Sequence, residues 1–151
     1  MKKQTKQSAK KVICPYCGSR AVLRSGHEIV EKKRVDEYLY VCKRYPVCDS
    51  YVSVQSGTTL PLGTLANREL RGLRIQAHQA IDQVIKRGIL KRKDVYGWMS
   101  DVLNIPQRSA HIAMLDTYRC RQVIVETGKL LAWHKSLKKL QSQEKEDLHA
   151  T

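Results

Sequence analysis

The sequence contains no phenylalanine, and aromatic residues make up only 6% of its 151 positions. A chain of this composition can build a modest core but not the deep cavity of a large enzyme. No apolar run approaches the roughly 18–20 residues needed to span a bilayer, so we expect no contact with a membrane. No hydrophobic stretch follows the charged N-terminus, so we expect no secretory signal. We therefore predict that the protein is cytoplasmic.

Acidic residues are also scarce, with 14 Asp and Glu against 28 Lys and Arg, so the formal net charge is +14. The aspartates of the second half do not cluster as nuclease carboxylates would, and no glycine-rich phosphate loop occurs. A basic surplus attracts polyanions, because binding to nucleic acid releases counterions. We therefore expect a nucleic-acid partner, with DNA favoured over RNA. The other interpretation is that surplus lysine keeps the protein soluble.

Four of the five cysteines form two close pairs, Cys14 with Cys17 and Cys42 with Cys48. Two pairs separated by a hairpin-length insert are typical of a tetrahedral Zn²⁺ site. Two disulfides are the alternative, which the missing secretory signal disfavours. A redox Cys-x-x-Cys would start a helix, whereas residues 20–24 have the pattern of a strand. We predict one structural zinc ion bound by all four cysteines.

The residues between and after the cysteines alternate and are rich in β-branched and aromatic types, which predicts short strands at 20–24, 28–33, 36–41 and 51–54. The sequence therefore predicts a zinc ribbon over residues 13–57. Such a small module needs the metal, because its apolar core alone is too small. A closed four-sulfur site leaves zinc no open position, so we expect the ion to hold the fold without performing chemistry.

The second cysteine pair lies in the segment Tyr40-Val-Cys42-Lys-Arg-Tyr-Pro-Val-Cys48. This segment resembles the C-terminal zinc ribbons of bacterial type IA topoisomerases, which share the Cys-x5-Cys spacing with a Tyr-Pro pair inside it. The resemblance is confined to the ribbon and includes nothing of the topoisomerase catalytic domain. It implies binding of single-stranded DNA but not strand passage.

The second half has helical periodicity, with predicted helices at residues 65–87, 94–103, 106–114 and 117–131. Thr64 is a candidate N-cap of the first helix, and Gly128 is a candidate break in the last. We predict an α+β chain in which a Pro-Leu-Gly loop joins the ribbon to a small helical bundle over residues 64–133. A helix-turn-helix across residues 95–115 is an alternative.

Both ends of the sequence are rich in charge. Residues 1–12 have little apolar content and are predicted to form a basic disordered tail. Residues 134–151 carry charges of both signs and are predicted to form a charged tail with a short frayed helix around Leu137 and Leu140.

Candidate nucleic-acid contacts combine cations with aromatic side chains that can stack on bases. In the ribbon, Tyr16, Tyr45 and Tyr51 are candidate stacking platforms. Three arginines of the first helix form a stripe at spacings of three residues, although a solvated helix edge would have the same pattern. The full set of candidate contact residues is Arg20, Lys43, Arg44, Tyr45, Arg68, Arg71, Arg74, Lys91, Arg92 and Lys93.

His78, His111 and Cys120 lie outside the ribbon and are the remaining candidates for chemistry. A Cys–His pair or a second metal site would need them to meet, but they fall on three separate predicted helices. No orienting group or oxyanion loop is recognisable, and a lone helical cysteine is more often a small buried apolar residue. We expect a protein without catalytic activity.

Residues across most of the chain, 13–125, resemble an uncharacterised family of zinc-finger-containing domains known best from phage and prophage genomes. The shared segments include Cys14-Pro-Tyr-Cys17, Tyr45-Pro-Val-Cys48-Asp49, Pro61-Leu-Gly-Thr-Leu-Ala66 and Tyr96-Gly-Trp98. The resemblance implies a phage or prophage origin and a zinc site but no reaction. The alternative to nucleic-acid binding is a protein-binding adaptor or inhibitor whose basic face docks on an acidic host or phage protein.

Overall fold

The computed structural model describes residues 11–150, and the chain divides into two compact units with the boundary between Arg68 and Glu69. The β-strands belong to the first unit and the long α-helices to the second, which confirms the predicted α+β class. Most of the predicted basic tail at residues 1–12 lies outside the described residues. No helix of the described chain is long and apolar enough to cross a membrane.

The first unit is built on a three-stranded antiparallel sheet with the order β1 (Ala21–Ser25), β2 (Tyr38–Cys42) and β3 (Tyr51–Ser53). The central strand β2 has a buried face, on which Leu39 and Val41 are fully buried. Its register pairs Ala21 with Cys42 on one side and Val41 with Tyr51 on the other. This register brings the cysteine at the end of β2 next to the start of β1.

The predicted strand at residues 28–33 is wrong, because this segment forms a 3₁₀ turn at Gly26–Glu28 followed by further turns. Gly26 is buried, and its N–H donates to the carbonyl of Glu37. A Cβ at this position would lie 2.7 Å from both the Glu37 oxygen and the Lys33 Cδ. The connection between β1 and β2 therefore folds back tightly at a glycine instead of extending.

The first unit continues past the predicted ribbon boundary at residue 57. Val54 forms a bridge with Pro61, so the chain after β3 turns back along it. Tyr51 and Ala66 then exchange both backbone hydrogen bonds, at 3.1 and 3.0 Å. Leu65 is fully buried in the core of this unit. The segment predicted to be a linking loop is thus part of the ribbon.

The second unit contains the helices α1 (Arg68–Lys86), α2 (Val95–Leu103) and α3 (Thr117–His149). The apolar positions of α1 recur at three- and four-residue spacing, which places them on one face of the helix. The buried apolar residues of this face are Leu70, Ala77, Ile81 and Val84. Gly88 has a φ of +70°, the left-handed conformation that commonly ends a helix. At the start of α3, the side chain of Asp116 accepts a hydrogen bond from the N–H of Arg119 at 2.9 Å.

The predicted helix at residues 106–114 is wrong, because the chain forms two single 3₁₀ turns, Gln107–Ser109 and Ile112–Met114. Between the turns, His111 is extended, and the flanking residues Ala110 and Leu115 are buried. On a continuous helix, Ala110 and Leu115 would point about 140° apart, so both could not face the same buried side. Without a second helix, residues 95–115 do not form a helix-turn-helix.

The predicted end of the last helix near residue 131 is also wrong, since α3 continues through Gly128 to His149. Residues 134–149, predicted to be a charged tail with a short frayed helix around Leu137 and Leu140, belong to this continuous helix. Nothing lies within 4 Å of a Cβ built on Gly128, so this glycine marks no close approach. A glycine inside a helix costs only about 1 kcal/mol, which is too little to break one whose neighbouring turns are well formed.

Candidate metal centre

The four Sγ atoms of Cys14, Cys17, Cys42 and Cys48 lie within 4.8 Å of one another. The Sγ atoms of Cys14 and Cys48 are 3.6 Å apart, and those of Cys17 and Cys42 are 3.5 Å apart. Zn–S bonds of about 2.3 Å in a tetrahedron give sulfur–sulfur distances of about 3.8 Å. The arrangement therefore fits one four-coordinate zinc ion, as the cysteine spacing predicts.

The first cysteine pair lies on a tight turn closed by a hydrogen bond from the N–H of Gly18 to the carbonyl of Cys14, at 3.0 Å. Gly18 has a φ of +71°, which a residue with a side chain rarely adopts. This turn aims backbone N–H groups at sulfur: those of Tyr16 and Cys17 at Cys14, and that of Ser19 at Cys17. The turn is thus shaped to hold thiolates.

The second cysteine pair begins where β2 ends. Cys42 accepts a backbone hydrogen bond at its carbonyl from Tyr45, at 2.9 Å, and one at its sulfur from the N–H of Arg44. The N–H of Cys48 donates to the carbonyl of Arg44 at 3.2 Å, which closes the loop. Both cysteine pairs therefore lie on turns that are closed by backbone hydrogen bonds.

The four thiols differ in their surroundings. Hydrogen bonds from the side chain and backbone of Ser19 lower the pKa of Cys17 to about 6. Burial opposes ionisation of Cys14, but hydrogen bonds, first among them that of Ser50, lower its pKa on balance. Burial raises the pKa of Cys42 to about 12. Bound zinc supplies the positive charge that stabilises all of them as thiolates, including Cys42.

Ser50 is a member of the site that the sequence analysis missed. Its side chain is fully buried, and its Oγ lies 3.1 Å from the Sγ of Cys14 and 3.5 Å from that of Cys48. A hydroxyl that donates to metal-bound sulfur orients the ligand and reduces its excess charge. The only sequence signal is a small polar residue two positions after a ligand, which is too common to be diagnostic.

An apolar layer supports the cysteines from within the unit. Cys14 and Cys42 belong to one buried cluster with Ala21, Val52 and Leu65. This layer keeps water from the buried sulfur atoms, and the fourth coordination position is already occupied by sulfur. The site therefore binds one structural zinc ion and leaves no position for a substrate.

A small antiparallel sheet with two cysteine-bearing turns defines a zinc-ribbon protein. The family model of a zinc-finger-containing domain matches residues 10–129, and the chain belongs to this family. No curated protein and no solved structure matches the chain.

The candidate cations of the first unit lie at its surface. Arg20, Lys43, Arg44 and Arg68 are exposed, whereas Tyr45 is half-buried. The N–H of Arg68 donates to the carboxylate of Asp49 at 3.2 Å, so the backbone of this residue has a structural role while its side chain is exposed.

Arg74 differs from the other candidate cations because it is only 9% exposed. Its Nε and Nη2 donate to the carbonyl oxygen of Leu115 at 3.2 and 3.0 Å. This guanidinium therefore holds the turn before α3 and does not lie on the exposed side of α1. Arg71 is half-buried and has polar contacts of its own. The cluster of Lys91, Arg92 and Lys93 is exposed on the turn before α2.

The candidates for chemistry outside the ribbon have separate environments. The Nδ1 of His78 is 3.0 Å from the Oδ2 of Asp82, and the ring of His111 packs against Tyr96 with centroids 4.6 Å apart. Cys120 is fully buried, and burial raises its pKa to about 11. Among residues 11–150, the ribbon cysteines are the sole group of three or more potential ligands that could hold a metal ion.

Thiol reactivity tests these assignments on the unmodified protein. We expect the zinc-loaded chain to react slowly with a thiol reagent, because four thiolates are bound to the metal and the thiol of Cys120 is buried. A chelator should make four thiols reactive, and a denaturant should add the fifth. Reaction of all five after chelation alone would contradict the separate burial of Cys120.

Proposed function

We propose that this protein is a zinc-stabilised, non-catalytic accessory protein that binds nucleic acid, DNA in preference to RNA, through the surface of its ribbon. The proposal includes an origin in phage or prophage, to which the resemblance of the sequence points, and a cytoplasmic location. The closed four-sulfur site and the burial of Cys120 support a role without catalysis.

The observation that carries the proposal is a group of like charges beside the metal site. Because Ala21 pairs with Cys42, the adjacent residues Arg20 and Lys43 lie side by side, and the N–H of Lys43 donates to the carbonyl of Arg20 at 3.0 Å. Arg44 follows directly. Like charges opposite each other on neighbouring strands are destabilising, so their presence favours an anionic ligand that lies across them.

The charges of this group are not neutralised within the described chain. Arg20, Lys43 and Arg44 form no salt bridge with a carboxylate of residues 11–150, unlike Arg24 and Arg34, which pair with Glu28 and Asp36. A phosphate backbone supplies the missing charge, and arginine can bind it with two hydrogen bonds. We call Arg20, Lys43 and Arg44 the ribbon cation group.

Tyrosines of the ribbon are candidates for stacking on bases. Tyr45 follows Arg44 and is half-buried, and Tyr16 is exposed while its hydroxyl accepts a hydrogen bond from the N–H of Asn67 at 3.2 Å. Tyr51 lies on β3 and pairs with Val41, which leaves its backbone unavailable to a ligand. Aromatic rings beside cations are typical of proteins that bind single strands.

In the second unit, Lys91, Arg92 and Lys93 are candidates for additional phosphate contacts.

The direct test is fluorescence anisotropy of the zinc-loaded protein with labelled single-stranded DNA, duplex DNA and RNA at two salt concentrations. We expect the tightest binding to single-stranded DNA and weaker binding as salt rises, since phosphate contacts release counterions. Absence of binding to all three at low salt would overturn the proposal. Capture of an acidic protein, with no affinity for nucleic acid, would support the adaptor alternative.

Substitution of two residues of the ribbon cation group tests whether nucleic acid binds at this surface. For Lys43→Ala with Arg44→Ala, we expect about tenfold weaker binding. The slope of the logarithm of the binding constant against the logarithm of the salt concentration should become shallower by roughly 0.7 for each lost phosphate contact with a single strand. The backbone bonds of this turn remain, so zinc content should not change. The control, Lys32→Ala with Arg34→Ala, removes the same charge elsewhere in the unit. An equal loss of affinity in both variants would indicate a general charge effect and contradict this location.

A further inference from the structure

A strongly basic segment connects α1 to α2 in the second unit. Residues 83–100 contain five lysines and arginines and a single acidic residue, Asp94. Two of the cations lie at the C-terminal end of α1, where positive charge is favourable for the helix dipole. Lys91, Arg92 and Lys93 instead come just before α2, where positive charge does not stabilise the helix. We call these three residues the α2 cation group.

The charges of the α2 cation group are not neutralised within the described chain. All three side chains are exposed, and none forms a salt bridge with a carboxylate of residues 11–150. Asp94, which follows them directly, is exposed and forms no salt bridge with another described residue. Three consecutive like charges repel one another, so an anionic ligand is favoured at this position.

Tyr96 lies next to two of these cations on the helix surface. The 3₁₀ turn Arg92–Asp94 leads directly into α2, so Arg92 and Lys93 precede Tyr96 by four and three residues of helical backbone. Residues at these spacings are neighbours on a helix surface. Tyr96 is 43% exposed. Its ring is therefore open to a ligand that also contacts the two cations.

The ring of Tyr96 packs against a second exposed ring, that of His111. The two ring centroids are 4.6 Å apart, and the ring planes are inclined by 49°. His111 is exposed, but Ala110 directly before it is fully buried, which fixes this part of the chain to the core. Rings that are already held in place lose little conformational freedom when a ligand stacks on them. We call Tyr96 and His111 the aromatic pair.

We propose that the α2 cation group and the aromatic pair form a second nucleic-acid contact surface, on the helical unit, which takes a single-stranded segment. The cations bind phosphates of the strand, and an unpaired base stacks on the aromatic pair. A base inside a duplex is covered on both faces by its neighbours, so only a single strand offers a free face. This inference rests on the proposed function and assigns to the second unit the recognition of bases, beyond the attraction of phosphate.

The test compares two labelled probes of equal length and charge, an oligothymidylate and a strand with the same backbone but no bases. Tyr96→Leu keeps an apolar side chain against His111 but removes the aromatic face. We expect this variant of the full-length, zinc-loaded protein to bind oligothymidylate about five- to tenfold more weakly, with unchanged affinity for the abasic strand. Tyr96→Phe retains the ring and should bind both probes normally. So should the control, Tyr118→Leu, which alters a 73% exposed tyrosine on α3 outside this surface.

Substitution of the cations should have the opposite signature. For Lys91→Ala with Lys93→Ala, we expect weaker binding of both probes, because both carry the phosphates that these side chains contact. Melting curves of the helical signal should match those of the unaltered chain for every variant, since all the altered side chains are exposed.

The outcomes separate this inference from the proposed function. If Tyr96→Leu bound oligothymidylate as tightly as the unaltered chain, base stacking on the aromatic pair would be wrong, while the proposed function would stand. An equal loss of affinity for both probes in Tyr96→Leu would also overturn base stacking, because the abasic strand has no base to lose. If the unaltered chain bound neither probe at low salt, the proposed function and this inference would both be wrong.

Discussion

Replacement of Cys42 by serine should abolish zinc binding and unfold the first unit while the helices of the second unit remain. A structural zinc ion contributes about 10–16 kcal/mol to the folding of a small module. The buried cluster of this unit, centred on Ala21, Val52 and Leu65, is too small to compensate. We expect the purified variant to contain almost no zinc and to lose the cooperative unfolding of the ribbon, with most far-UV helical signal retained.

The matched control is Cys120→Ala, which removes a buried cysteine outside the site. This variant should retain one zinc ion per chain, because Cys120 is not among the clustered ligands. Zinc content measured by atomic absorption or a colorimetric chelator distinguishes the two cysteines. If Cys42→Ser retained zinc at full occupancy, the four-cysteine assignment would be wrong.

Replacement of Arg74 by alanine should destabilise the second unit by about 2–4 kcal/mol, since it removes two buried hydrogen bonds to the carbonyl of Leu115 and opens a cavity. The melting temperature of the helical signal should fall by several degrees. Binding of nucleic acid by the folded variant should not change, because this guanidinium is buried.

The control for Arg74 is Arg87→Ala, an exposed arginine just after α1 whose loss removes the same charge. Its effect on the free energy of unfolding should stay within about 0.5 kcal/mol. A variant of Arg74 that melted like the unaltered protein but bound nucleic acid poorly would restore this residue to the phosphate-contact set.

The zinc site could be predicted from the sequence because its ligands are defined by spacing. The two close cysteine pairs, one of them followed by Gly18, predict the site from local spacing alone, with few assumptions about the rest of the fold. Ser50 could not be predicted, because its role depends on the register that places the start of β3 beside Cys14 and Cys48.

Arg74 illustrates a limit of charge patterns. Its spacing from Arg68 and Arg71 indicates a stripe of cations, yet Leu70 and Ala77, at i−4 and i+3, place it beside the buried face of α1. The helical projection could have identified this position as inward-facing. Its partner, the Leu115 carbonyl, is 41 residues away in sequence and follows from no local rule.

The helix and strand boundaries failed where the chain had to satisfy contacts distant in sequence. The pattern at residues 28–33 favours a strand, but the close approach of Glu37 and Lys33 to Gly26 favours a turn. Conversely, Gly128 suggests a break in α3, but the helix continues through this residue to His149.

The backbone exchange between Tyr51 and Ala66 and the burial of Leu65 have a consequence for dissecting the molecule. A fragment that ends at residue 57, where the cysteine pattern suggests stopping, would retain every zinc ligand but lose the segment that covers the edge of β3. The exposed edge of β3 could then pair with another chain, which would promote aggregation. Expression of the ribbon alone therefore calls for a C-terminal boundary at Arg68, where the Asp49 carboxylate still finds its backbone donor.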